Sequence, residues 1–298
     1  ERRPSDTDFL HVRVGIGTQR LATRLLAPET GPPEDLEPVS TVALRRYVKT
    51  HSVVHALPTA VSLRFFPVIT FDGDRKLAQQ LVRSMLLELC AFHGPDHVQV
   101  AVVTANPDGE NWSWVKWLPH AQHPTARDGM GPMRMIFPTL EVLESALADD
   151  LAQRGRFSRN ADLPQGLKRL VIVLDDGYIT GTERLVTDAG LDGVTVLRLN
   201  TATDVTAGRH ALQLVVEGDD VGARTAVGVE RFATPDTITI AEAEATARRI
   251  GRYRLASAAR IISLESDSRA EDPGLMSLLK IPDAAEIVPE QVWRRRTP

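Results

Sequence analysis

Two carboxylates at the end of an apolar run are the residues best placed to do chemistry. In Leu170-Val-Ile-Val-Leu-Asp175-Asp176-Gly177, five apolar residues, three of them β-branched, run into the acidic pair. Such a run suits a strand buried on both faces. Open α/β sheets place their ligand crevices at the C-terminal ends of such strands. An acidic pair there can organise a hydrated Mg²⁺ beside phosphates, because Mg²⁺ prefers hard oxygen ligands. Asp-Asp-Gly is equally ordinary turn chemistry after a strand. The motif alone leaves both readings open.

A second stretch has the layout that would go with such a site. Pro67-Val-Ile-Thr-Phe71 reads as a strand, Asp72-Gly73-Asp74-Arg75-Lys76 as a turn, and the residues after it as a helix. Strand, glycine turn and helix form the frame of a phosphate loop. A working loop reads Gly-x-x-x-x-Gly-Lys-Ser/Thr: its amides cradle phosphates, its lysine meets the terminal phosphates and its hydroxyl meets Mg²⁺. Here only Gly73 and a misplaced Lys76 remain, and Asp72 and Asp74 would repel phosphate. The frame is present without its chemistry. Gly15-x-Gly17, lacking a third glycine and a clear helix after it, reads as a bend.

Other candidates are weaker. Trp112, Trp114 and Trp117 could stack bases or anchor a partner, but their surroundings are not basic, and packing or a protein interface is the better reading. The pairs His51/His55 and His120/His123 have spacings a metal site could use, yet no cysteine or third ligand accompanies them. Arg45, Arg46 and Lys49 give a predicted helix over 42–51 a small basic face, of the kind that is usually solvated.

The elements that must position these residues follow from periodicity. Strands are expected at Phe9–Ile16, Val61–Arg64, Val98–Thr104, Met133–Phe137 and Gly193–Asn200, with a hairpin of 211–217 and 224–232 around Gly218-Asp-Asp. Leu77, Leu81, Val82, Met85, Leu86, Leu89 and Cys90 recur at helical spacing and mark a buried stripe. Thr139 can cap a helix carrying Leu140, Leu143, Leu147 and Leu151 and ending near Gly155. Thr239-x-x-Glu242 is a capping box opening a helix to about Ala259. Residues 27–38, with four prolines, read as a loop. From Ser263 the chain turns polar and acidic, and Gly274–Pro282 gives a short apolar helix before a basic end.

Composition bounds the rest. The 298 residues are 43% hydrophobic and 25% charged, enough for one large α/β domain or two small ones. A net charge of -4 with pI near 6.1 argues against a broad nucleic-acid-binding surface. Cys90 is the only cysteine, so no internal disulfide can form. No apolar stretch reaches membrane-spanning length and no signal peptide opens the sequence. Both ends read as cut from something longer, so the expectation is a soluble fragment.

Taken in this order, the chain resembles a known family: the domain of unknown function between the membrane stalk and the first FtsK/SpoIIIE-type ATPase domain of EccC. EccC is the motor subunit of the actinobacterial type VII (ESX) secretion system. The segments that carry the likeness are Asp8-Phe-Leu-His-Val-Arg-Val-Gly-Ile-Gly17, Leu57-Pro-Thr-Ala-Val-Ser-Leu-Arg64, Trp114-Val-Lys-Trp-Leu-Pro-His120, Leu170 to Asp176, Gly274 to Asp283 and Pro289-Glu-Gln-Val-Trp-Arg294. The resemblance implies a P-loop-NTPase-like (FtsK/RecA-like) α/β fold, with a largely parallel sheet, helices on both faces and a degenerate nucleotide site. Asp175 and Asp176 fall on the Walker B pair, Asp175 as a Mg²⁺ ligand, and Asp72, Gly73, Asp74, Arg75 and Lys76 sit where a Walker A loop would. Mg-ATP is the cofactor so implied. Leu118-Pro-His120 matches a segment after the second strand of FtsK-like motors.

Two departures bear on hydrolysis. The Walker A lysine and hydroxyl are missing, and the second acid, usually glutamate, is Asp176, one methylene shorter in reach toward a water. Little or no ATP hydrolysis is expected of this fragment alone. The expected organisation is an N-terminal strand, Pro-rich loop and helix over 1–60, an ATPase-like core over 61–265, and a linker to the next ATPase domain over 266–298. Two functions stand side by side. One is a coupling domain between membrane channel components and the ATPase domains of the same motor subunit, touching secreted substrates indirectly and binding no nucleic acid. The other is a divergent but active Mg-ATP-binding ATPase using Asp175 and Asp176. Either would work at the cytoplasmic face of the plasma membrane, as the soluble part of a membrane-anchored protein.

Overall fold

A computed structural model describes residues 1–26, 37–129, 131–159, 166–177, 183–186, 189–199 and 210–253. Most of the Pro-rich loop and the whole of the expected 266–298 linker lie outside the described residues, while the helix expected to run to about Ala259 ends at Ile250, capped by Gly251. In chain order the elements begin with β1 (His11–Arg20), α1 (Pro38–His51), β2 (Val53–Ser62), β3 (Val68–Gly73), α2 (Arg75–Phe92), β4 (Val98–Thr104) and α3 (Glu110–Ser113). They continue with β5 (Gln122–Asp128), β6 (Gly131–Arg134), β7 (Ile136–Phe137), α4 (Leu140–Ala146), α5 (Ala148–Ala152), β8 (Arg169–Asp175) and β9 (Val194–Arg198). β10 (Leu212–Glu217), β11 (Asp220–Thr225), β12 (Gly228–Pro235) and α6 (Ile240–Ile250) complete the described chain.

One ten-stranded sheet, in the order β2-β1-β12-β11-β10-β3-β9-β8-β4-β7, organises the molecule. From β10 to β7 every neighbouring pair is parallel. From β2 to β10 every pair is antiparallel, which makes that half a wing. Every residue of β4 and all but the first of β8 are buried. Continuous apolar runs without alternation are therefore what strands covered on both faces should show.

α2 packs the predicted stripe inward: Leu81, Val82, Met85, Leu86, Leu89 and Cys90 are all buried, in contact with β1, β3, β10 and α6. Each fully buried side chain of this size contributes about 1.5–3 kcal/mol. The Thr239/Glu242 capping box is present in full.

Several local expectations change. The strand expected over Met133–Phe137 splits at Met135 into β6, which pairs with β5 in a two-stranded sheet, and β7, at the edge of the large sheet. Gly15 and Gly17 lie inside β1, opposite Pro235 and Ala233 of β12, where a Cβ would collide with the Thr234 and Phe232 carbonyls. They permit a close strand crossing instead of making a bend. The helix over 140–151 breaks into α4 and α5 at Leu147. Leu147 N–H still donates to the Leu143 carbonyl, and Leu140, Leu143, Leu147 and Leu151 all stay buried, so the apolar face is continuous. The hairpin around Gly218 joins β10 to β11, not to 224–232. A second turn before Gly228 (φ +150) then sends the chain into β12.

Candidate functional site

The parallel strands β3 and β8 end at the same edge of the sheet, separated only by β9. This places the degenerate loop over the acidic pair. β3 closes on Gly73, whose φ of +94 favours glycine and where a Cβ would collide with the Val216 carbonyl. The neighbouring Asp74 N–H donates to that same carbonyl at 2.8 Å, so β10 pins the loop.

Asp74 caps α2. Its Oδ1 accepts from the backbone N–H of Lys76 at 2.8 Å and of Leu77 at 3.2 Å. These first-turn amides, with the positive end of the helix dipole, are the groups that would hold a phosphate. A carboxylate from the chain itself holds them here. Lys76 is exposed, and Asp72 pairs with Arg224 at 3.3 Å.

Asp175 sits on the other side of the site with 2% of its side chain exposed. A buried carboxylate needs a full set of donors. Arg75 Nη2 donates to its Oδ1 at 2.8 Å, while Gln79 Nε2 and Trp112 Nε1 donate to its Oδ2 at 2.8 and 2.7 Å. Arg75 Nη2 also bonds Asp176 Oδ2, and one guanidinium therefore bridges both acids. The Asp176 hydrogen bond, with the charges of both acids, holds the Arg75 guanidinium above its ordinary range against the cost of desolvation. Asp176 has φ +59, a left-handed conformation that costs a non-glycine residue about 1–2 kcal/mol. Backbone geometry thus turns its carboxylate back toward Arg75.

The sequence points to Arg75 but not to Gln79 or Arg83. The three are spaced four apart on α2, and Gln79 and Arg83 are buried. Arg83 Nε donates to the Ile238 carbonyl at 3.3 Å, just before α6, and its Nη1 has no partner among the described residues. Burial pushes its guanidinium down, and the nearby Asp175 charge works against that. Trp112, read from the sequence as packing or an interface, is both buried and a donor to the site. Trp114 is buried as well, while Trp117 is 38% exposed beneath the Arg248 guanidinium at 4.4 Å. Of the paired histidines, three serve hydrogen bonds, His120 to the His93 carbonyl, His123 to the Ala146 carbonyl and His55 to Thr18, and His51 lies against the Tyr47 ring.

The arrangement does not fit the terminal phosphates of a nucleotide. The amides that would take the anion are held by Asp74, the acids that would take the cation are held by Arg75, and among the described residues no lysine or hydroxyl of the loop stands where either is needed.

No family model matches the chain. It is 40% identical over 304 residues to the ESX secretion system protein EccC of Thermomonospora curvata, covering 99% of this chain and 22% of that protein. It is 32% identical over 321 residues to the ESX-5 secretion system protein EccC5 of Mycobacterium tuberculosis (strain H37Rv), covering 100% of this chain and 22% of that one. The chain thus spans 22% of the length of these relatives. Among solved structures, EssC (ATPases 2 and 3) from Geobacillus thermodenitrificans superposes with a TM-score of 0.50 over 85% of this chain and 50% of that one. At 9% identity, that likeness shows the fold alone.

Proposed function

The chain belongs, over nearly its whole length, to the EccC family of ESX (type VII) secretion proteins, and from that premise we propose that it is an ATPase-like coupling domain. In this reading it carries force or contacts between the membrane channel and the ATPase domains of the same motor subunit during export. Secreted proteins meet it indirectly, and nucleic acid plays no part. It works at the cytoplasmic face of the plasma membrane, with 1–60 joined to a 61–265 core and 266–298 leading to the next domain.

One observation supports the reading above the others: a single arginine from the loop, Arg75, bridges Asp175 and Asp176. The ion pair ties α2 to β8, as a bound nucleotide ties loop to acids in a working ATPase. α2 in turn packs on α6. A fixed tie of this kind transmits displacement through packed elements without turnover.

The second reading is a divergent Mg-ATP-binding ATPase. It is favoured by the 44% exposure of the Arg75 side chain, which leaves that arginine room to move aside, and by both acids standing at the crevice edge.

Calorimetry and melting with Mg-ATP separate the two. Coupling predicts no heat and no shift in melting temperature. A hundredfold excess over the dissociation constant would stabilise a true binder by about 2.7 kcal/mol. Such a gain, lost in Asp175→Asn and accompanied by phosphate release dependent on Asp176, would establish the enzyme instead. In the full-length motor subunit, Asp175→Asn should lower export while total ATP turnover holds. Unchanged export would sink the coupling role.

A further inference from the structure

The stretches that form β1, α1 and β2 carry a charge pattern at odds with the rest of the chain. Residues 9–26 and 38–71 contain seven of the 35 Lys and Arg and none of the 39 Asp and Glu, although the 27–37 segment between them holds Glu29, Glu34, Asp35 and Glu37 and the net charge is -4. α1 concentrates this pattern. It holds Arg45, Arg46 and Lys49 without an acidic residue, none of the three is in an ion pair with another of the described residues, and no residue of the helix is buried.

Its half-buried residues Thr41, Leu44 and Val48 share one side, and the helix packs on β2. On the other side Val39, Val42, Arg46 and Lys49 fall at i, i+3, i+7 and i+10 and line up as one exposed stripe. Val39 is 74% and Val42 64% exposed, with Tyr47 at 59% beside them. A solvated helix face ordinarily mixes charges of both signs. This one is apolar toward its N-terminal half and purely basic toward its C-terminal half.

We propose that this stripe docks an acidic helical segment of another protein, with apolar residues against Val39 and Val42 and carboxylates against Arg46 and Lys49. The seam spacing is that of paired helices, which place apolar residues three and four apart and set partner choice by charge. A lipid surface fits less well. An interfacial helix carries a wide apolar face along its length and its bases on the opposite face, whereas here Val39 and Val42 are the only apolar residues of the stripe and Arg46 and Lys49 continue it on the same face. Strand addition along β2 is blunted by Pro58 and by the left-handed Ala56 (φ 56) in the middle of that edge. The surface lies at the far end of the strand order from the acidic pair and goes beyond the coupling role.

The test is fluorescence anisotropy of the whole 298-residue chain with a labelled three-heptad helical peptide of Leu and Glu. A scrambled peptide of the same composition and phosphatidylserine vesicles serve as the other probes. The helical peptide should bind about tenfold or more tightly than the scrambled one, and raising salt from about 50 to about 300 mM should weaken it. Val42→Asp, and Arg46→Glu with Lys49→Glu, should each weaken it at least about tenfold while melting stays unchanged. Val42→Ser replaces Val42→Asp should the latter lower melting. Equal binding of both peptides, vesicle binding without peptide binding, or no binding at all would each overturn the proposal.

Discussion

The indole Nε1–H of Trp112 donates to Oδ2 of Asp175 at 2.7 Å, between two fully enclosed side chains. Together with Gln79 and Arg75 it fixes the carboxylate from three directions. Trp112→Phe keeps an aromatic ring, removes the donor and leaves a small cavity where the indole was. It should lower stability by about 1–3 kcal/mol, the cost of leaving a buried acceptor short of a partner. Urea denaturation measures this, and a loss below a few tenths would mean that solvent or another donor reaches Asp175.

Arg75 and Asp175 should be coupled. A double-mutant cycle with Arg75→Met and Asp175→Asn should give an interaction energy of about 0.5–3 kcal/mol, as residues of one ion-pair network do. The low end of that range is expected because the Arg75 side chain is 44% exposed and screened by solvent. Additive effects would show that the bridge between loop and acids does not form in solution.

Leu86 and Leu89 are 0% and 1% exposed on α2. Truncating either to Ala should cost about 2–5 kcal/mol, with transfer and cavity terms both contributing. A smaller loss would mean that α2 lies more loosely on the sheet than its burial indicates.

Stability should fall with mild acid. His120 donates Nε2–H to the His93 carbonyl at 2.7 Å, its Nδ1 has no partner among the described residues, and burial pulls its pKa from 6.5 down to about 4. The unfolded chain therefore binds the proton first. The contribution of the neutral ring is complete above pH 6.5 and is lost as pH falls toward about 4. Between about pH 7 and pH 5 this amounts to roughly 2 kcal/mol. His93 shifts the same way: its Nδ1 donates to the Leu89 carbonyl and its Nε2 accepts from Leu10 N–H, so a second proton would break the latter bond. Chemical denaturation across this range should show a shallower pH slope for His120→Asn than for the wild type; parallel slopes would assign the proton uptake elsewhere.

The elements legible in the sequence were those fixed by local rules. The β8 run ending at Asp175, the α2 stripe and the Thr239/Glu242 cap all declare themselves within a few residues. The site was half legible. An acidic pair and an emptied loop could be read, but the tie between Arg75 and Asp175 crosses 100 positions and is set by strand order, which no local pattern encodes. Gln79 was hidden by its apolar neighbours on α2, and Trp112 by an indole that packs and donates at once. Gly15 and Gly17 announced a special backbone without saying what approaches it. The second turn, at Ala226-Val227, carries no turn residues before Gly228, so three strands read as two.

The pairing of β1 with β12 bears on how the chain is made. Arg13 meets Asp236 at 2.5 Å across 223 positions, and β1 presents its second edge to a strand near the end of the described chain. At about 5–20 residues per second, translation leaves that edge without its partner for tens of seconds. β2 can close the first edge early. The second must wait, and Arg13 and Arg20, without acidic neighbours within β1, keep a half-built sheet from pairing with the wrong strand in the interval.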